Sequence, residues 1–129
     1  MTTRVFYEEW QMQCCGTPFS VGDSVSWTAI PAGSHFVEDF GSIEGADIAW
    51  YEEHHQEPGT QVERVGGMVV SIRAIRQEFG PLSPDDKVLV PVAGAVLATD
   101  LSSANGWESE SDDPAHPDYL FSGYVVTLE

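Results

Sequence analysis

Apolar and polar residues alternate from Arg4 to Gln13. Phe6, Trp10 and Met12 share one parity with Glu8, and Val5 and Tyr7 share the other, which predicts a strand. Gly16 and Pro18 then interrupt the pattern, one through φ freedom and one through fixed φ, so CCGTP reads as an ordered loop. Gly22-Asp23 is a hairpin-type turn signal. Beyond it Val25 and Trp27 alternate with Ser24, Ser26 and Thr28, as in a half-buried strand with a polar outer face.

From Ile30 to Gly59 the pattern shortens, and Pro31, Gly33, Gly41 and Gly45 punctuate it. Within this stretch GADIAWYEEHHQ (45–56) predicts a short helix capped by Asp47, with Ile48, Tyr51 and His55 on one face; Trp50 leaves a strand open. Thr60 to Phe79 is rich in β-branched residues and predicts a strand, with a bulge or bend at Gly66-Gly67. Val88 to Ala98 reads as one strand interrupted by Pro91, or as two, and belongs at an edge because proline lacks an N–H. Residues 100–118 are polar and acidic and predict a mobile loop. YLFSGYVVTL, Tyr119 to Leu128, predicts a last strand bent at Gly123.

About five strands with glycine-marked bends and one short helical insertion predict a mainly β protein. The expected architecture is a small closed or partly open barrel of SH3-like or OB-like type, whose terminal strand pairs with an early one. A two-sheet β-sandwich is the alternative. The 129 residues suit a single domain, with an insertion around 31–59 and the acidic loop around 100–118.

Charge narrows the function classes. Five Lys and Arg stand against 21 Asp and Glu, for a net charge of −16. Residues 1–60 hold ten acids and one base, 61–90 four of each, and 91–129 seven acids and no base. Phosphate contacts need clustered cations, so direct binding to nucleic acid or to an anionic membrane is not expected. No apolar run approaches the roughly 20 residues that cross a bilayer, and MTTRVFYEEW lacks the basic start and apolar middle of a signal peptide. The expected compartment is the cytoplasm.

WQMQCCGTPFSVGDSVSW, Trp10 to Trp27, resembles the opening signature of a family of small actinobacterial proteins known only as a domain of unknown function. YEEHH (Tyr51 to His55), GWE (Gly106 to Glu108) and GYVVTL (Gly123 to Leu128) are similar to its later landmarks. The resemblance implies a stand-alone domain in the bacterial cytoplasm and brings no activity, substrate or catalytic residue.

Chemistry concentrates at Cys14 and Cys15. A disulfide between sequence neighbours is strained, since consecutive Cα atoms lie about 3.8 Å apart and ordinary bridges span about 4.4–6.8 Å. With His54 and His55 the pair could form a zinc-type site, although zinc knuckles separate paired cysteines by two to four residues. Adjacent histidines point about 100° apart on a helix and oppositely on a strand, so one at most suits a given thiolate. The plainer reading makes both cysteines small buried residues packing a tight turn. Trp50 and Trp107 come from irregular segments and could flank a barrel mouth that binds a ligand or partner. His35 and His116 receive no role, and Ser109 to Asp113 lacks the spacing of a calcium loop.

The sequence shows no phosphate-binding glycine loop, HExxH helix, GxSxG elbow or dinucleotide fingerprint. The leading expectation is a non-enzymatic protein-interaction module with an acidic surface and an aromatic edge, using no cofactor. A zinc-binding or thiol-dependent protein built on Cys14, Cys15, His54 and His55 is the first alternative. An acidic mimic of nucleic acid is the second.

Overall fold

A computed structural model describes residues 2–33, 36, 40–41, 47–53, 61–81, 83–85, 87–108 and 119–129. The elements in chain order are β1 (Thr3–Glu8), α1 (Glu9–Cys15), β2 (Phe19–Ser20), β3 (Ser24–Pro31), β4 (Ile48–Glu52), β5 (Glu63–Pro81), β6 (Leu89–Leu101), β7 (Ser103–Ala104) and β8 (Tyr119–Leu128). The protein is mainly β.

Six strands form one sheet in the order β3-β4-β1-β8-β5-β6, and β3 also pairs with β5. The hydrogen bonding therefore runs through β3, β4, β1, β8 and β5 and returns to β3 in a ring. Its closure depends on the 19-residue length of β5. The first part of β5 pairs with β3 over Glu63 to Met68, and the rest pairs with β6 from Ile72 onward. The expected terminal pairing is present, with β8 antiparallel to β1 from Thr3↔Leu128 to Glu8↔Gly123. β6 sits at the end of the sheet order, where its Pro91 can be accommodated. It is assigned as one strand, but its register against β5 is irregular, passing from Gln77↔Val96 to Phe79↔Pro91.

Alternation along the strands divides the buried residues into two cores. Val5 and Tyr7 join Ile72, Ala74, Tyr124, Val126 and Leu128 in the larger cluster. Phe6, between them in sequence, joins Phe36, Phe40, Ile48, Ile75 and Val125 on the other face. Fully burying a Val or Ile side chain contributes about 1.5–3 kcal/mol. Both clusters therefore matter for stability. One register shift falls between Val69 and Ser71, just past the Gly66-Gly67 pair that suggested a bend. Another, between Ile75 and Arg76, leaves Ser122 without a paired residue across the ladder.

Two sequence expectations are corrected. The strand expected over Arg4 to Gln13 ends at Glu8, and Glu9–Cys15 is helical. Its sequence, EWQMQCC, contains good helix formers, and the buried residues Gln11 and Met12 are adjacent, which strand alternation does not allow. The extended backbone of Gly16 ends the helix, and Pro18 follows two positions later. The helix expected over 45–56 is also corrected. Asp47 has φ of 62° and so leads into strand β4 instead of capping a helix, and β4 runs parallel to β1. Helical backbone in the 31–59 insertion falls earlier, at Phe36 and Phe40. Residues 109–118 of the expected acidic loop lie outside the described residues, while Ser103–Ala104 pairs with Phe19–Ser20.

Candidate functional site

Helix α1 is a joint between distant parts of the chain. The Gln11 side-chain amide is fully buried and donates from Nε2 to the Glu52 backbone carbonyl at 2.8 Å. Gln13, two residues on, donates to the Gly106 carbonyl at 2.7 Å. The Gly106 N–H in turn donates to the Tyr124 hydroxyl at 2.8 Å, and that hydroxyl donates to Glu108 at 3.2 Å. Burial is the main reason the Tyr124 phenol is pushed well above its ordinary pKa. Met12 packs so closely that a Cβ on Gly106 would come within 2.8 Å of its Cγ. Glu8 closes the set by accepting a hydrogen bond from the Tyr51 hydroxyl.

This joint borders a cleft of about 500 Å³. One wall comes from Tyr7, Phe19 and Trp27. Trp27 meets Tyr7 edge-on at 5.0 Å between ring centroids and meets Phe19 at 5.0 Å. The Ser20–Asp23 turn shapes the neighbouring loop. Asp23 N–H donates to the Ser20 carbonyl at 3.0 Å, and the Asp23 carboxylate accepts from Ser20 N–H at 2.8 Å. The sequence signal at Gly22-Asp23 thus marks a real turn, which Gly22 N–H and Val69 N–H anchor to β5. Cys15, Thr17, Ser24, Ser26 and Thr28 add thiol and hydroxyl groups to the cleft.

Among the described residues, two acids and one base border the same space: Asp23, Glu52 and Arg64. Arg64 donates to the Thr28 hydroxyl at 3.1 Å. Glu52 lines the cleft but is only 2% exposed. The Tyr7 phenol is raised well above its ordinary pKa by burial first and by Glu52 second, which keeps its hydroxyl protonated as a donor.

The cysteines are not buried in a turn as expected. Both are exposed free thiols at the end of α1. Cys14 is pushed up to about 11, first through its hydrogen bond with Cys15, which favours the protonated form. It also makes a long contact to the Gln11 carbonyl at 3.5 Å. Cys15 lines the cleft. His54 and His55 lie outside the described residues, and so does Ser109 to Asp113. Among the described residues, no group of three or more His, Cys, Asp or Glu could hold a metal ion.

The two tryptophans expected to form a partner surface have different settings. Trp50 is half-buried in β4 and packs against the larger core. Trp107 is 69% exposed, and its N–H donates to Asn105 at 2.8 Å. Among the described residues neither lines the cleft. The aromatic wall is instead Trp27 packed on the nearly buried rings of Tyr7 and Phe19; strand alternation marked Tyr7 and Trp27 as apolar without showing that they meet. No helix among the described residues is long and apolar enough to cross a membrane.

The chain belongs to a family of unknown function, DUF6578, which it matches over residues 1–129. No curated protein and no solved structure matches it. The stretches that carried the resemblance in sequence meet in space through the contacts of Gln11, Gln13, Glu52, Gly106 and Tyr124.

Proposed function

We propose that this protein is a non-enzymatic interaction module whose cleft receives a lysine or arginine side chain from a basic segment of a protein partner. One observation carries the reading: the cleft of about 500 Å³ combines the Tyr7–Phe19–Trp27 wall with Asp23 and Glu52, against the one cation Arg64 among the described lining residues, in a chain of net charge −16. Aromatic faces attract cations through their quadrupole, and nearby acids add to that attraction. The surrounding charge speeds the approach of a basic partner and disfavours nucleic acid and anionic lipid. The hydroxyls of Thr17, Ser24, Ser26 and Thr28 supply acceptors for the N–H groups of such a side chain. No cofactor enters the reading, and the expected setting is the cytoplasm.

Calorimetric titration with three nine-residue peptides, rich in lysine and arginine, neutral, or acidic, tests it. The basic peptide alone binds, and its affinity falls as salt rises but survives at 0.5 M because the aromatic contact persists. Equal binding of all three peptides, or complete loss of binding at moderate salt, contradicts a built site.

A further inference from the structure

A second cavity, of about 380 Å³, lies on the opposite face of β1 from the cleft, beside the smaller core. Its apolar wall is a cluster of rings. Phe6 lies 5.1 Å from both Phe36 and Phe40, and Phe36 stacks on Tyr51 at 6.5 Å. Two polar side chains border it with unmet capacity. Gln77 is 5% exposed and its buried Nε2 has no hydrogen-bond partner among the described residues; the same holds for the buried Ser122 hydroxyl. Sequence pattern does not account for either. Gln77 is buried, although Ser71 and Arg73 at the same parity of β5 are only partly so, and Ser122 is the bulged residue of β8.

Leaving a buried donor unmet is costly, and a glutamine in an aromatic wall is not there to improve packing. We infer that this cavity binds a small uncharged aromatic molecule bearing a carbonyl acceptor, held by the Gln77 amide and the Ser122 hydroxyl. The ring cluster specifies an aromatic body. The Gln77 NH₂ specifies an acceptor, since it can only donate, and the Ser122 hydroxyl is able to donate to the same group. The charge class follows from Glu8 and Glu9, which border the cavity while no Lys or Arg among the described residues does, so carboxylates and phosphates are repelled. Both donor atoms are buried, and both residues line the cavity. The terminal torsion of Gln77 is broad and roughly two-fold, so the amide is free to re-aim its NH₂ at an acceptor in the cavity.

The test is an NMR titration with benzamide, benzoate and toluene as probes. Benzamide shifts signals of Phe6, Tyr51, Gln77 and Ser122 and binds at least tenfold more tightly than toluene or benzoate. Gln77→Leu and Ser122→Ala each bring benzamide toward the toluene affinity while leaving toluene binding in place. If Gln77→Leu does not fold, Ser122→Ala decides. Benzamide binding no tighter than toluene, tighter binding of benzoate, or unchanged benzamide affinity in the folded variants overturns the inference. Because this cavity is separate from the cleft, neither result depends on how the cleft responds to basic peptides.

Discussion

The Gln11 side-chain amide donates to the Glu52 backbone carbonyl at 2.8 Å across 41 positions of sequence. This bond fixes the helix carrying both cysteines against the strand that brings Glu52 to the cleft. Gln11→Leu keeps the bulk and removes the donor. The expected loss is about 1–3 kcal/mol, the cost of leaving a buried partner unsatisfied. Gln13→Leu, at a part-buried bond, costs about 0.5–1.5 kcal/mol. Chemical denaturation checks both, and equal effects would remove the distinction between the two bonds.

Gly106 combines φ of 87° with contact to Met12. Gly106→Ala therefore has to place a methyl group 2.8 Å from Met12 Cγ in a backbone region that side chains disfavour. A loss of about 1–3 kcal/mol is expected. Part of it comes from Met12, so the double variant with Met12→Ala loses less than the two single losses together. Strict additivity in thermal melts would place the whole cost in the backbone.

Cys14 titrates up to about 11 because Cys15 stabilises its thiol form. Its alkylation by iodoacetamide, followed by mass spectrometry, is therefore slow at neutral pH and accelerates as pH rises toward that value. Cys15→Ser lowers the titration midpoint of Cys14. A Cys14 midpoint near that of a free thiol in the unchanged protein would refute the coupling.

Burial, followed by the charge of Glu53, raises the Glu8 carboxyl above its ordinary pKa, and a hydrogen bond with Trp10 opposes part of the rise. The native chain thus holds this proton to higher pH than the unfolded chain, whose value is about 4.3. Stability associated with the group is greatest below that unfolded value and is lost as pH rises through the folded one. Glu8→Gln removes the loss and can still accept from Tyr51. Its stability advantage over the natural protein should grow between pH 4 and pH 7, and an advantage independent of pH would contradict the assignment.

Much of the fold was legible because strand alternation reports burial directly. Residues 119–128 and the core of β5 follow their sequence pattern, and Gly22-Asp23 makes the expected turn. Helix α1 was hidden because Phe6, Trp10 and Met12 mimic a strand period, although Trp10 is in fact 45% exposed. Asp47 misled in the opposite direction, since a residue suited to capping is also one that tolerates positive φ. The cleft was not legible, because Tyr7, Trp27 and Glu52 come from three strands whose order no local pattern encodes. Gln77 carried no clear signal, because Ser71 and Arg73 share its parity along β5.

The most direct measurement compares affinities of one lysine-rich peptide for the natural protein and three variants by calorimetry. Trp27→Ala and Glu52→Gln remove one ring of the aromatic wall and an acid of the cleft, while Trp107→Ala removes an exposed ring that does not line it. The first two are expected to weaken binding at least tenfold with folding intact, and the third to leave it within twofold. Equal affinity across all four proteins, or a loss confined to Trp107→Ala, would contradict recognition in the cleft.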